Sequence, residues 1–155
     1  MRVEQSGLHL HPDYPSKLAA SPDGLVLRAD GSLTGLAVEF KVPRYGTKGP
    51  GLTDNYLIQL QLTLACTRSR AVDFATLRMR RDSNGREVRE LAVTRVDRDE
   101  WLLSVLMEQL LAFWEEAARD DEPYDRSNLE GVELRLALAD ARIESVGDER
   151  VYAME

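Results

Sequence analysis

The fold of this chain is decided by two stretches, Ser21–Leu25 (SPDGL) and Leu36–Lys41 (LAVEFK). Ser-Pro-Asp-Gly is a turn signal, and the apolar run Leu25-Val26-Leu27 after it predicts a short strand. A second turn signal at Asp30-Gly31-Ser32 leads into LAVEFK, which predicts the next strand. The two strands together predict a β-hairpin.

Three charged side chains of this hairpin are expected to converge. Asp23 enters at the start of the first strand, and Glu39 and Lys41 are two residues apart on the second. Side chains two apart project from the same face of a strand. Val38 and Phe40 alternate with this pair and are expected to face the core. That arrangement would put Glu39 and Lys41 on the opposite side of the sheet.

The pattern of Asp23, Glu39 and Lys41 fits a site for a divalent cation. Two converging carboxylates repel each other unless a cation lies between them, and hard oxygen ligands select Mg²⁺ or Mn²⁺. The backbone carbonyl of Phe40 is a candidate further ligand. Such a metal lowers the pKa of a bound water, and Lys41 can orient that water and stabilise developing negative charge. The alternative is an ordinary surface Glu–Lys pair.

Further elements follow from apolar periodicity and turn signals. They are a helix over Asn55–Thr67, two strands over Val72–Met79 and Val88–Val96 joined by an Asn-Gly turn, and a helix that begins with Asp97 as N-cap and runs to about Arg119. Leu129–Glu155 stays open between helix and strand. We expect one α/β domain over residues 1–155, with a core at about 7–119 and a C-terminal extension at about 120–155.

Side chains on the two helices divide into packing and polar faces. In the first helix, Tyr56, Gln59 and Thr63 share a face that is separate from the apolar stripe. That stripe consists of Ile58, Leu62 and Ala65, with Leu57, Leu60 and Leu64 beside it. In the second helix, the predicted buried stripe is Leu102, Val105, Leu106, Gln109, Leu110, Phe113 and Ala117. Trp101 and Trp114 flank that stripe and are interpreted as packing residues.

The charge of the chain is distributed unevenly. The net charge is -7, yet residues 41–95 hold 11 Lys or Arg against 5 Asp or Glu, a local balance of +6. Residues 97–155 hold 6 against 17, a balance of -11. A basic middle could face phosphates while an acidic C-terminal third faces solvent. The alternative is that both regions are simply solvated surface.

Composition excludes some classes of protein. No apolar run approaches the ~20 residues of a membrane helix, and Cys66 is the only cysteine, so no internal disulfide can form. We therefore expect a soluble, intracellular protein with a buried thiol. Residues Arg2–Leu10 alternate weakly and could form a strand or a hairpin arm. His9 and His11 would then lie on one face, as half-exposed strand residues rather than a metal-binding pair.

Several motifs in order resemble one nuclease family. Ser21–Leu25, Leu36, Glu39-Phe40-Lys41 and Pro43 are similar to the S-P-D-G-L and L-E-x-K-x-P core of the lambda-type exonuclease and YqaJ-like viral recombinase family, in the PD-(D/E)XK superfamily. Tyr56–Gln61 resembles the Y-x-x-Q-x-Q helix of that family. Ala71–Ala75 and the helix after Arg98-Asp99-Glu100 also match in kind and order. The resemblance covers roughly Gly7 to Glu116.

The resemblance implies roles for individual residues. Asp23 and Glu39 would bind the metal together with the Phe40 carbonyl, Lys41 would be the catalytic lysine, and Gln59 would close the site. Tyr56, Arg44 and Lys48 would contact DNA. The role of Gln61 is left open.

The resemblance also implies a fold and an activity. The fold would be a restriction-endonuclease-like α/β core with a central mixed sheet. The activity would be Mg²⁺-dependent hydrolysis of DNA, as an exonuclease on linear duplex ends in phage-type recombination. Partners would be double-stranded DNA, a single-strand annealing protein and further copies in a ring-shaped trimer, in the cytoplasm of a bacterium or a phage-infected host cell.

The family has a helical region before S-P-D-G that contributes a further acidic ligand. Only 22 residues precede Asp23, so we expect this helical region to be absent and a second metal ion to be doubtful. The alternative function is a truncated or inactive nuclease-fold module that binds DNA or a partner protein without cleavage. A third interpretation is an α/β domain in which the motifs are coincidental.

Overall fold

The computed structural model describes residues 1–42, 51–81, 83–118 and 132–154. Its strands are β1 (Arg2–Gln5), β2 (His9–Leu10), β3 (Ala19–Ala20), β4 (Gly24–Leu27), β5 (Leu33–Lys41), β6 (Ala71–Arg81), β7 (Glu87–Asp97) and β8 (Val146–Met154). Its helices are α1 (Asp54–Thr67), α2 (Glu100–Ala117) and α3 (Val132–Glu144).

Six strands form a central mixed sheet in the order β1-β4-β5-β6-β7-β8. Strands β5 and β6 pair in parallel, and the other neighbours pair antiparallel. A parallel pair needs a crossover connection, and α1 lies in the segment that joins β5 to β6. The short strands β2 and β3 form a separate hairpin that contacts α1. The prediction of an α/β domain with a mixed sheet is confirmed.

The predicted hairpin of β4 and β5 is confirmed. Gly24 pairs with Val38 and Leu27 pairs with Leu33. In the turn, Gly31 has a φ of +84°, which side-chain-bearing residues rarely adopt. The Ser32 backbone N–H donates to Asp30 Oδ1 at 2.9 Å, and this hydrogen bond lowers the pKa of Asp30.

The N-terminal strand prediction is only partly right. Arg2–Gln5 joins the large sheet beside β4, whereas His9 and Leu10 belong to the small hairpin. His11 lies beyond the end of β2 and is buried against Tyr14. The two histidines therefore do not share one strand face, and His11 is not half-exposed.

Helix α1 begins one residue before its predicted start, after the N-cap Thr53. Its most buried side chains are Leu57, Leu60 and Leu64, each no more than 1% exposed. Of the predicted stripe, Ala65 is buried, whereas Ile58 and Leu62 are only partly buried. Burial is broader than a stripe because α1 contacts β5 and β6, the β2–β3 hairpin and α2.

Helix α2 begins later than predicted, at Glu100. Asp97 is the last residue of β7, paired with Ala71, and the N-cap is Asp99, whose side chain accepts from the Leu102 backbone N–H at 2.9 Å. The buried side chains are in the first two turns, at Leu102, Leu103, Val105 and Leu106.

The second half of the predicted α2 stripe is not buried in the described residues. Gln109, Leu110 and Phe113 are partly exposed and Ala117 is exposed. Trp101 and Trp114 are 44% and 41% exposed, and Trp114 makes an edge-on ring contact with Phe113, so the prediction of packing is supported only for Trp114. Contacts of α2 with α1 and α3 cover only part of its length.

The C-terminal segment contains both alternatives that the sequence left open. Helix α3 ends at Glu144, and β8 begins at Val146 and pairs with β7. Ala137, Leu138 and Ala141 of α3 belong to the same core as α1 and α2. Arg142 donates through Nε to Asp54 Oδ1 at 2.9 Å and through a terminal nitrogen to the Leu52 carbonyl at 3.0 Å. Arg142 of this segment therefore holds the start of α1 in place.

The lone cysteine gives a testable consequence of this packing. Cys66 is buried on α1, and burial raises the pKa of its thiol. We expect it to react with a thiol reagent only as fast as the protein opens. A raised folded-state pKa means that the unfolded chain loses this proton first as pH rises. The protonated Cys66 thiol therefore contributes fully to stability at pH below its unfolded-state pKa. This contribution is lost as the pH rises through its folded-state pKa.

The check is denaturation across alkaline pH for the parent and Cys66→Ala. The alkaline decline in stability should be steeper in the parent than in the variant. Identical declines, or labelling in the native state as fast as in urea, would contradict burial of the thiol.

No helix in the described part of the chain is long and apolar enough to cross a membrane.

Candidate active site

Strand pairing brings Asp23 beside Glu39. Gly24 pairs with Val38 in the antiparallel β4–β5 ladder, so the residue before Gly24, Asp23, lies opposite Glu39. Asp23 Oδ2 accepts a hydrogen bond from the Phe40 backbone N–H at 2.7 Å. In an extended strand, the N–H and C=O of one residue point toward the same edge. The Phe40 carbonyl therefore faces the edge where Asp23 lies.

Glu39 is a buried carboxylate with partners on one oxygen. Its exposed fraction is 4%. Oε1 accepts from the Lys41 ammonium, in a short ion pair, and from Gln59 Nε2 at 2.8 Å. Oε2 is also buried, and no described residue donates to it. A buried carboxylate oxygen without a donor is costly, so Glu39 is arranged for something besides internal ion pairing.

The expectation about the two faces of β5 is right only for Val38, which is 6% exposed. Phe40 is 47% exposed, whereas Ala37 is fully buried on the same face as Glu39. Ala37 belongs to the core beneath α1, and Gln59 of α1 reaches Glu39. The charged pair thus continues the helix-covered face of the sheet instead of opposing it. Alternation identified the two faces but not which one the helix covers.

Lys41 is held between a carboxylate and an aromatic ring. Its Nζ pairs with Glu39 and lies 5.5 Å from the centre of the Tyr56 ring. The Tyr56 ring lies 5.3 Å from the ring of Phe74 on β6. A cation over an aromatic face is attracted to the ring electrons. Tyr56 and Phe74 therefore limit the positions that the Lys41 ammonium can take.

The two glutamines of α1 have different surroundings. Gln59 is exposed at the surface and reaches Glu39. Gln61 is fully buried, and its amide donates to the Asp97 carbonyl at 2.8 Å and accepts from the Asp99 backbone N–H at 3.0 Å. Thr63, predicted on the face of Gln59, is buried. Gln61 joins α1 to the start of α2, a role that its spacing did not predict.

Gly24 allows the N-terminal strand to approach the residue that follows Asp23. A Cβ at this position would lie 2.6 Å from Val3 Cγ1 and 3.1 Å from the Glu4 carbonyl oxygen. A larger residue would require the exposed Val3 side chain to turn away and the Glu4 backbone to shift slightly. The glycine in the Ser-Pro-Asp-Gly turn therefore fixes the sheet next to the Asp23 carboxylate.

The donor set of the site fits a hard cation with few protein ligands. No group of three or more His, Cys, Asp or Glu side chains is placed to hold a metal within the described ranges. Mg²⁺ often uses one or two carboxylates and keeps several waters. That pattern fits the donors at this site, which are Asp23, the unpartnered Oε2 of Glu39 and the Phe40 carbonyl.

The two histidines make local hydrogen bonds instead. His9 bonds to Ser6 Oγ at 2.5 Å, and His11 Nδ1 accepts from the Asp13 backbone N–H at 3.2 Å.

The structure thus brings together Asp23, Glu39, Lys41, Gln59 and Tyr56 from β4, β5 and α1. The predicted DNA contacts Arg44 and Lys48 lie outside the described residues. A cavity of about 370 Å³ on β6, β7 and β8, lined by Asp73, Arg95 and Arg150 among others, involves none of these site residues.

Solved structures of an alkaline exonuclease have a fold similar to that of this chain. No family model and no curated protein matches this chain. It is similar to the crystal structure of an alkaline exonuclease, LHK-Exo, from Laribacter hongkongensis, with a TM-score of 0.53 and 27% identity over 74% of this chain and 56% of that chain. For LHK-Exo in complex with dAMP the TM-score is 0.53, with 24% identity over 92% and 62% of the two chains. This chain spans less than two thirds of that exonuclease.

Proposed function

We propose that this chain is a metal-dependent deoxyribonuclease of the lambda-type exonuclease branch of the PD-(D/E)XK superfamily, acting on linear duplex DNA. The observation that carries the proposal is the buried Glu39 carboxylate, which shares one oxygen between Lys41 and Gln59 and leaves the other without a donor. The structural similarity to an alkaline exonuclease supports the same activity.

In this proposal Asp23, Glu39 and the Phe40 carbonyl would hold Mg²⁺ or Mn²⁺. The bound ion would lower the pKa of a water and neutralise charge on the phosphate. Lys41 would orient the attacking water and stabilise negative charge that develops on the phosphate oxygens. Gln59 would keep Glu39 in place through its 2.8 Å hydrogen bond, and Tyr56 would limit the motion of Lys41.

The resemblance to recombination exonucleases extends the proposal beyond this site. It includes a role in phage-type recombination, with an annealing protein that takes up the exposed single strand and with copies of this chain arranged in a ring. These parts rest on the motif order alone.

A binding module without cleavage is the second candidate. It is favoured by one observation: in the described residues, only two carboxylates meet at this point, and no third His, Cys, Asp or Glu side chain joins them. Such a module would bind duplex DNA without hydrolysing it.

The test is digestion of end-labelled linear duplex DNA with Mg²⁺ or Mn²⁺. We expect the parent to degrade the DNA and Asp23→Ala and Lys41→Ala to lose activity by about 100-fold or more, since each removes a group that acts on charge in the transition state. Asp140→Ala, which removes an exposed carboxylate of α3, is the control and should behave as the parent. A folded parent that cleaves with neither metal would favour the binding module.

A further inference from the structure

A second polar cavity lies at the far end of α1. Its volume is about 410 Å³, and it is formed by the loop after β2, the last turn of α1 and the connection from α1 to β6. Its ionisable lining residues are His11, Asp13, Arg68, Arg70 and Arg98. We call it the arginine cavity. Three guanidinium groups and one carboxylate give it a net positive charge.

The backbone around the arginine cavity is held in place by hydrogen bonds. The Arg70 backbone N–H donates to the Gly35 carbonyl at 2.8 Å, and the Arg98 backbone N–H donates to the Arg70 carbonyl at 2.9 Å. Arg68 is the C-cap of α1 in a left-handed conformation, with a φ of 54°. The three arginines therefore start from fixed positions on neighbouring segments.

Arg98 also offsets the charge of the helix end. The carbonyl groups at the C-terminus of a helix carry partial negative charge and would repel an anion. The Arg98 guanidinium donates to the Leu64 carbonyl at 2.9 Å and pairs with Glu100 at 2.5 Å. The Leu64 carbonyl in the last turn of α1 thus already accepts a hydrogen bond from a cation.

Arg68 and Arg70 keep their charges available. Several other arginines of the described chain pair with a carboxylate, as in Arg2–Glu4, Arg78–Glu149, Arg89–Glu87, Arg95–Asp73 and Arg142–Asp54. No described carboxylate forms an ion pair with Arg68 or Arg70, and Asp13 lines the same cavity without doing so. Since no described carboxylate neutralises these two guanidiniums, the arginine cavity can attract an external anion even in a chain of net charge -7.

His11 adds a hydrogen-bond donor to the same wall. Its Nδ1 accepts from the Asp13 backbone N–H at 3.2 Å, so the proton of the neutral ring is on Nε2. Planar guanidiniums with N–H donors match the geometry of phosphate oxygens. The cavity therefore suits an oxyanion better than an apolar ligand, and phosphate is the oxyanion that the proposed nucleic-acid substrate supplies.

We infer that the arginine cavity binds a backbone phosphate of the nucleic acid that is cut at Glu39, an inference that rests on the proposed function. The strand register gives the separation between this cavity and Glu39. Ala71, the neighbour of Arg70, pairs with Leu36, and Leu36 lies three residues before Glu39 on β5. Three strand residues span roughly 10 Å, comparable to about three nucleotides of B-form DNA at 3.4 Å each. The cavity would hold the substrate beside the site without reading its sequence.

The test measures DNA binding without cleavage. A fluorescein-labelled short linear duplex is titrated with protein in EDTA, and anisotropy is read over a series of salt concentrations. We expect Arg68→Ala and Arg70→Ala each to weaken binding by about tenfold and to reduce the slope of log affinity against log salt by about one. Arg68→Lys should retain part of the affinity because it keeps the charge.

Arg135→Ala is the matched control, since Arg135 is exposed on α3, away from the arginine cavity. If Arg68→Ala and Arg70→Ala bind DNA as tightly as Arg135→Ala, with the same salt slope, the inference is overturned even if the parent is an active nuclease. If the parent binds DNA with the expected arginine dependence but never cleaves it with metal, the proposed nuclease activity fails while the phosphate site stands.

Discussion

Replacing Glu39 with glutamine is expected to reduce the rate of DNA hydrolysis by about 100- to 1,000-fold, the scale seen when one charge-stabilising group is removed from an active site. Glutamine has nearly the same shape but cannot carry the negative charge. Lys41 would lose its ion-pair partner and the cation would lose a ligand. The measurement is the initial rate at saturating DNA, over a titration of Mg²⁺ and Mn²⁺.

Glu133→Gln is the control for this change, because Glu133 is exposed in the first turn of α3. A Glu39→Gln protein that cleaves at the parent rate at every metal concentration would remove Glu39 from the mechanism. Urea denaturation of both variants separates a lost charge from a lost fold. Since Glu39 is buried with one oxygen unpartnered, its replacement by neutral glutamine should leave the free energy of unfolding nearly unchanged.

Replacing Gln61 with leucine is expected to lower the free energy of unfolding by about 2 to 4 kcal/mol, because a buried group that loses its partner costs about 1 to 3 kcal/mol. Leucine fills a similar volume but leaves the Asp97 carbonyl and the Asp99 N–H without a partner. Both groups lie at the junction where β7 ends and α2 begins. Urea denaturation measures this change.

Gln59→Leu is the matched comparison, two residues away on the same helix. Gln59 is exposed, so its replacement should change the unfolding free energy by no more than about 0.5 kcal/mol, as for most surface positions. It should instead slow cleavage, since Glu39 loses the Gln59 hydrogen bond. Equal destabilisation by both variants would show that the division of roles between the two glutamines is wrong.

The sequence predicted the local part of this architecture. Turn signals at Ser21–Gly24 and Asp30–Ser32 identified the β4–β5 hairpin, and alternation placed Glu39 and Lys41 on one face. Helical spacing likewise placed Tyr56 and Gln59 together. These features depend on neighbours within a few residues, so periodicity and turn chemistry are sufficient to find them.

Features that depend on distant partners could not be predicted in this way. The burial of Glu39 results from α1 covering its face of the sheet, and the role of Gln61 depends on residues 36 and 38 positions away. The N-cap of α2 moved from Asp97 to Asp99 because Asp97 pairs with Ala71 in the sheet. A signal for the arginine cavity was present in Arg68-Ser69-Arg70, but only the fold adds His11 and Arg98 to it.

The link between Arg142 and Asp54 joins residues 88 positions apart, and this separation matters during protein synthesis. Domains form as the chain emerges from the ribosome, with N-terminal parts available first. Asp23, Glu39, Lys41 and Gln59 emerge long before the residues of α3 and β8 that fasten the start of α1 and complete the sheet. The nascent chain therefore displays Asp23, Glu39, Lys41 and Gln59 before α3 holds the start of α1 in place, so the mature site geometry waits until α3 and β8 have been synthesised.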